Sequence, residues 1–244
     1  MQQISTISDI SKLGSIMGIW AHPDDETWAS AGIMNIAIKN GQRVACVNAT
    51  KGEEGIQDES RWPRNQLATI RQSELEHALA IIGNGKIDHF WLDYHDGHCS
   101  SVNVDEAAKK LRKIITGFCP DTVLTFGPDG LTGHDDHRSV SRWVDSALLD
   151  LEKRPDVFHV CEAKERYESY GKDLDETFNI YFNIDSPMMC NMKDLDICIA
   201  LPKDVYERKI RAFKAQASQM ASIFEHPKHE TMLKMARHEC FRRA

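Results

Sequence analysis

The sequence predicts an α/β fold, a Rossmann-like three-layer sandwich whose mostly parallel sheet carries helices on both faces. Three observations lead there. Short apolar runs alternate with longer helix-like segments through the first half of the chain. Gly, Pro and Asn turn signals bound those runs. Four strand-then-helix units follow one another without a break, which implies right-handed crossovers and parallel strands.

In chain order, Ser15–Ala21 suits a buried strand, and a helix over Trp28–Lys39 follows, stopping at Asn40-Gly41. Arg43–Thr50, rich in small and β-branched residues, reads as the second strand. A polar loop, Lys51–Arg64, leads into an amphipathic helix, Asn65–Ile82, stopped by Gly83-Asn84-Gly85. Lys86–Leu92 is the third strand, Asp105–Phe118 the third helix, Thr122–Phe126 the fourth strand and His137–Leu151 the fourth helix. Beyond Pro155 the pattern weakens. Strands are expected at Val157–Cys161, Phe178–Ile184 and Asp196–Leu201, and helices at Lys203–Met220 and His229–Phe241. With no repeat, low-complexity stretch or linker, residues 1–244 are expected to form one domain.

Composition narrows the function. A chain of 244 residues with 41% hydrophobic and 27% charged residues is ordinary for a globular protein. The formal charge of −7 argues against nucleic acid or an anionic membrane as main partner, since both need a basic surface. No run approaches the roughly 20 apolar residues of a membrane span. The first dozen residues, with Asp9 and Lys12 and no apolar run behind them, do not suggest a secretory leader. Seven scattered cysteines without a CxxC pair point to reduced thiols and a cytoplasmic protein rather than a disulfide framework. A homo-oligomer is compatible with all of this.

Two acidic-histidine clusters carry the chemistry. Ala21-His22-Pro23-Asp24-Asp25-Glu26 directly follows the first strand, and Gly133-His134-Asp135-Asp136-His137 lies in the loop after the fourth. In the commonest strand order those two strands are neighbours at the point where the order reverses, which is where ligands bind. Imidazole and carboxylate are natural ligands of zinc, and a catalytic zinc keeps three of them plus a water. His22 and Asp25, three apart at a helix start, could point the same way, and His137 could complete the set. Such a set accepts Zn²⁺ and Fe²⁺ alike. The turn also excludes a dinucleotide site, because its three carboxylates would repel a pyrophosphate. Acidic residues at a helix start also serve as caps. Capping accounts less well for two such clusters, each carrying His, at the ends of two strands.

These residues resemble the zinc deacetylase family that includes GlcNAc-phosphatidylinositol de-N-acetylase, the mycothiol and bacillithiol pathway deacetylases and LmbE-like proteins. The family's first motif, A-H-P-D-D-E, is matched in full at Ala21–Glu26. Its second, close to G-H-P-D-H-R, is matched at Gly133–Arg138 with Asp135 in place of the proline. Weaker echoes are Thr50–Gly55, Arg71–Leu75, Asp96-Gly97 and Ser218-Gln219. The resemblance implies a zinc-dependent hydrolase that removes an acetyl or other acyl group from the nitrogen of a small sugar-like molecule. It implies that His22, Asp25 and His137 hold the metal and that Asp24 is the general base. It also implies that His134 serves the tetrahedral intermediate, with Asp136 orienting it. Spacing alone neither chooses Asp24 over Asp25 nor removes His134 from the ligand set. An amidase of another small-molecule amide and a non-catalytic metal-binding protein are the alternatives, and the spare carboxylate of Asp24 disfavours the second.

Arg71 and Glu74, three apart on a helix, suit either a surface ion pair or, by the resemblance, an arginine near substrate. Asp96 could bind a sugar hydroxyl. Glu53 and Glu54, His95 and His98, and the His226/His229 pair suit loop and surface polarity, and Trp62 an apolar anchor for its loop.

Overall fold

The computed structural model describes residues 3–149, 151–181, 183–185 and 187–244. Five strands run parallel: β1 (Ile16–Trp20), β2 (Val44–Thr50), β3 (Ile87–Tyr94), β4 (Thr122–Thr125) and β5 (Asp156–Val160). β1, β2 and β4 are buried along their whole length, as strands covered on both faces must be. The connections are α1 (Asp25–Lys39), α2 (Leu67–Gly83), α3 (Val104–Phe118), the single turn α4 (Gly130–Gly133) and α5 (Asp135–Leu148). α3 packs on α5, while α1 and α2 pack together with a later helix, so right-handed crossovers load both faces.

The remainder caps the sheet edge and the site. It comprises β6 (Glu162–Ala163), α6 (Lys164–Arg166), α7 (Lys172–Phe178), β7 (Met189–Cys190), β8 (Ile197–Ala200), α8 (Lys203–Ala215), α9 (Ala217–Glu225), α10 (His229–Met235) and β9 (His238–Arg243). The large sheet has the order β3-β2-β1-β4-β5-β9-β8, with β9 antiparallel to both neighbours. The order reverses at β1, whose Ile16, Met17 and Gly18 lie opposite Thr122, Val123 and Leu124 of β4. The expected switch point is therefore present, with a cluster at the carboxyl end of each strand.

Four expectations about the blurred region need correction. The helix expected over His229–Phe241 stops at Met235, and the rest is a strand because β5 and β8 each need a partner. Phe241 is fully buried opposite Val160 and Ile197, and this overrides local propensity. The helix expected over Lys203–Met220 breaks at Gln216 (φ −95°, ψ 52°). The strand expected at Phe178–Ile184 is absent among the described residues. Phe178 ends α7, and Asn179 closes it in the left-handed region; Phe182 lies outside the described residues. Finally, Cys198 and Cys240, facing each other across β8 and β9, form a disulfide, while Cys46, Cys99, Cys119, Cys161 and Cys190 are free. This is one bridge, not a framework. No helix among the described residues is long and apolar enough to cross a membrane.

Candidate metal centre and active site

The loop after β1 is held from three sides. The carbonyl of Ala21 accepts the Thr50 amide (2.9 Å) and hydroxyl (3.1 Å), tying the loop to β2. The His22 amide donates to Asp25 Oδ2 (2.8 Å) and the Asp24 amide to Glu26 Oε2 (3.1 Å), so these carboxylates fasten the loop that enters α1 rather than cap the helix's own amides. Asp24 sits at φ 110°, where a side chain other than glycine's costs of order 1–3 kcal/mol and persists only if its surroundings over-determine it. Arg71 supplies that constraint. Its guanidinium, almost fully buried, donates through Nη2 to Asp24 Oδ2 (3.0 Å) and the Pro23 carbonyl (2.5 Å), and through Nη1 to the Gly52 carbonyl (2.6 Å).

The two clusters meet across β1 and β4. His22 Nδ1 lies 3.2 Å from His137 Nε2. The Asp25 carboxylate closes the triangle, with Oδ1 3.4 Å from His137 Nε2 and Oδ2 3.6 Å from His22 Nδ1. In a tetrahedral site with bonds of 2.0–2.1 Å, ligand atoms stand about 3.4 Å apart. The far nitrogens are already committed. His137 Nδ1 donates to the Gly130 carbonyl (2.9 Å), and Phe126 stacks on the ring at 4.0 Å between centroids. His22 Nε2 faces Asp96 Oδ1 (3.0 Å) and Asp136 Oδ2 (3.2 Å). Metal-ligating histidines characteristically give the second N–H to a carbonyl or carboxylate, which aims the opposite lone pair at the ion. Here two ring nitrogens so aimed stand 3.2 Å apart beside the Asp25 carboxylate. Those separations match the spacing of ligand atoms around one ion, so the donor set fits a divalent ion.

Two further donor groupings share His22: His22 with His134 and His137, and His22 with Asp96 and Asp136. The second is occupied with other work. Asp136 also accepts the amides of Gly97 (2.7 Å) and Cys99 (3.0 Å), and Asp96 accepts the Glu54 amide (2.9 Å). The expectation that Asp136 orients the His134 ring therefore gives way to a different geometry. The Asp136 carboxylate orients His22, and it is the Asp136 amide that meets His134 Nδ1 (3.2 Å). Likewise Asp96 touches His22 rather than open space, and Arg71 touches Asp24 rather than Glu74. The Glu74 carboxylate instead accepts the Ser218 amide (2.8 Å) and hydroxyl (2.6 Å).

The electrostatics follow from burial among acids. Desolvation pushes the Asp24 carboxyl up to about 7, with Arg71 pulling against it and Asp25 and Glu26 reinforcing it. Desolvation likewise lowers His137 to about 4, only partly opposed by Asp25. Burial disfavours charge on His22 too, but its hydrogen bonds to Asp136, Asp25 and Asp96 outweigh that and hold its pKa well above the ordinary value. Asp25 is held low against its own burial by His137 and His22. Two recesses border the cluster. One, of about 180 Å³, is lined by Asp24, Asp25 and His137 together with Trp28, Phe213 and Met220. The other, of about 370 Å³, is lined by His134, Asp136, Arg138 and Asn183 with Gly97 and Gly133.

Other candidates stay outside. His95 and His98 meet edge to face and both turn Nδ1 to the Asp96 carbonyl. Glu54 pairs with Arg64, Trp62 lies under the Arg61 guanidinium, and His226 packs on Phe178. Sequence reasoning missed the supports of the loop. Buried Glu26 accepts from Thr27 Oγ1 (2.6 Å) and Gln216 Nε2 (2.8 Å), and Asn48 donates to the His22 carbonyl (2.9 Å). Asn48 did leave a trace: with Thr50 it is one of two polar residues at the end of a strand that is otherwise apolar.

The family model for GlcNAc-PI de-N-acetylase (PIG-L) matches residues 17–148, more than half the chain and the whole of both clusters. The chain belongs to that family. This PIG-L protein is 30% identical over 164 residues to a 1D-myo-inositol 2-acetamido-2-deoxy-alpha-D-glucopyranoside deacetylase of Corynebacterium kroppenstedtii, covering 55% of this chain and 41% of that one. It is 26% identical over 214 residues to a probable N-acetyl-alpha-D-glucosaminyl L-malate deacetylase of Bacillus cereus, covering 86% of each chain. Its fold is similar to that of N,N'-diacetylchitobiose deacetylase from Pyrococcus horikoshii, with a TM-score of 0.69 at 23% identity over 97% of this chain and 86% of that one. Family membership places the chain among hydrolases of amide bonds.

Proposed function

We propose that this PIG-L protein removes an acetyl or other acyl group from the nitrogen of a small amino-sugar-like molecule in the cytoplasm. In this proposal His22, Asp25 and His137 hold a divalent ion, Zn²⁺ by preference and Fe²⁺ as the alternative. The observation that carries this is the pair of imidazole nitrogens 3.2 Å apart beside a carboxylate. An ion bound there supplies Lewis acidity toward the amide oxygen and brings water toward a pKa of about 7.

The chain's own residues do the rest. Asp24, beside the ligands but not one of them, accepts the proton of the water whose oxygen adds to the acyl carbon. His134 takes the Asp136 amide on Nδ1, so in its neutral form Nε2 carries the hydrogen and can donate to the developing oxyanion. As the C–N bond breaks, the proton on Asp24 passes to the leaving nitrogen, and the acid and amine so formed leave as carboxylate and ammonium once the acid's remaining proton has moved to the amine. Arg71 keeps Asp24 in its unusual backbone geometry and acts as a positioning residue.

The test is release of free amine from N-acylglucosamine derivatives by the purified protein. Activity should vanish on dialysis against a chelator and return with Zn²⁺. No amine from any acylated amino sugar, with the metal verified in place, would overturn the proposal. The role of Arg71 is checked through Gly52 (φ 68°), where an added Cβ would lie 2.2 Å from Arg71 Nη1. Gly52→Ala is expected to lower turnover on the order of 10²-fold at unchanged metal content, since small misplacements of a catalytic group cost that much. Undiminished kcat would show that Asp24 does not depend on this clamp.

A further inference from the structure

We propose that the acyl group this enzyme cuts is an apolar chain of about six carbons, seated in the cavity beside Asp24 and His137. This inference rests on the amide-hydrolase proposal above and names its substrate class. The cavity holds about 180 Å³, and its walls beyond the catalytic side chains include Trp28, Phe126, Phe213, Met220, Ile223 and Met232. An apolar cavity of about 150 Å³ accommodates benzene. An acetyl methyl would leave most of this volume unfilled. A sugar ring placed there would strip its hydroxyls of water and offer them few partners. A linear acyl chain fills it with matching chemistry.

The amine half has a different place. The second recess brings the backbone of Gly97 and Gly133 together with His134, Asp135, Arg138 and Asn183, which suits the hydroxyls of a sugar. The apolar recess meets the cluster at Asp24, Asp25 and His137, and the polar one at His134 and Asp136. An amide at the cluster can therefore send its acyl side into one and its amine side into the other. Phe213, Met220, Ile223 and Met232 come from α8, α9 and α10, in the part of the chain beyond the family match. The α8–α9 break at Gln216, pinned to Glu26, sets Met220 and Ile223 against the site.

The experiment is an acyl-length series on glucosamine, from acetyl through butanoyl, hexanoyl and octanoyl to dodecanoyl, with the zinc-loaded full chain and free amine as readout. kcat/KM should rise about fourfold per methylene, reaching on the order of 10²-fold by hexanoyl, and fall once the chain outgrows the cavity. Binding of the carboxylate products gives a readout independent of turnover, and hexanoate should bind more tightly than acetate by a similar factor. Met220→Trp, which fills the recess, should move the optimum to shorter chains and weaken hexanoate at least tenfold. Acetyl cleaved fastest, with hexanoate no tighter than acetate, would overturn this inference and leave the hydrolase proposal standing. So would acceleration by an octyl aglycone on N-acetylglucosamine without any gain from acyl length. Tight hexanoate binding with no amide cleaved at any length would overturn the hydrolase proposal, and the inference with it.

Discussion

His22→Ala is expected to abolish metal binding, and Asp24→Asn to retain the metal while turnover falls roughly 10²–10⁴-fold. The two variants separate groups only two residues apart in one loop. His22 brings Nδ1 to within 3.2 Å of His137 Nε2 and, through Nε2, engages Asp96 and Asp136. Removing its ring takes out one ligand and leaves two buried carboxylates without their partner, so both affinity and local order suffer. Asp24 is different: its carboxylate meets Arg71, and its backbone already occupies a strained conformation. Asparagine keeps the volume and still accepts from the guanidinium, so the loop should keep its shape and lose only the capacity to accept a proton. The measurement is metal content of the dialysed proteins beside kcat on one N-acylglucosamine. Full metal occupancy in His22→Ala would mean that another donor group, such as Asp25 with His134 and His137, holds the ion. Unaltered kcat in Asp24→Asn would move the base elsewhere.

The part of the site that was legible in the sequence is the part encoded by adjacent residues. Each cluster sits at the end of an apolar run, and four strand–helix units in succession leave few topologies, so the meeting of His22 with His137 could be anticipated before any coordinates. The exchange of partners among the surrounding acids could not. The resemblance implies that Asp136 orients His134, yet α5 begins between them and swings the carboxylate toward His22 and the 97–99 loop. Arg71 and Glu74 have the spacing of a helical ion pair, but each is drawn into a different buried polar group. Such choices are made by unpaired buried atoms in three dimensions, and they leave little trace in one. The same holds for β9, whose residues have ordinary helical character and become a strand because two sheet edges were left open.

The largest stability effect is expected at Lys209 and Glu239, whose side chains are both fully buried. Lys209 Nζ donates to Glu239 Oε1 (2.8 Å) and to the Trp28 carbonyl (2.6 Å), while Glu239 accepts the amides of Gly32 (2.7 Å) and Ile33 (2.8 Å). In an uninterrupted helix those amides would be directed to the carbonyls four residues earlier, the first of which is that of Trp28. The ion pair thus sits within the hydrogen-bond ladder of α1, about two turns past Asp25, and joins α8 and β9 to the helix that positions the metal loop. Burial holds the Lys209 ammonium below its ordinary pKa, and Glu239 opposes that only in part. Lys209→Met would leave the Glu239 carboxylate buried with only two amides for compensation, at a cost of about 3–5 kcal/mol. For a chain of this size that corresponds to a fall in Tm of roughly 10 °C. The double variant Lys209→Met, Glu239→Gln should recover part of the loss, because glutamine can accept one amide and donate to the Trp28 carbonyl without carrying charge. Calorimetry on the two single variants and the double one measures the coupling. Additive losses would show that the two side chains act independently, and the ladder of α1 would then have to close without them.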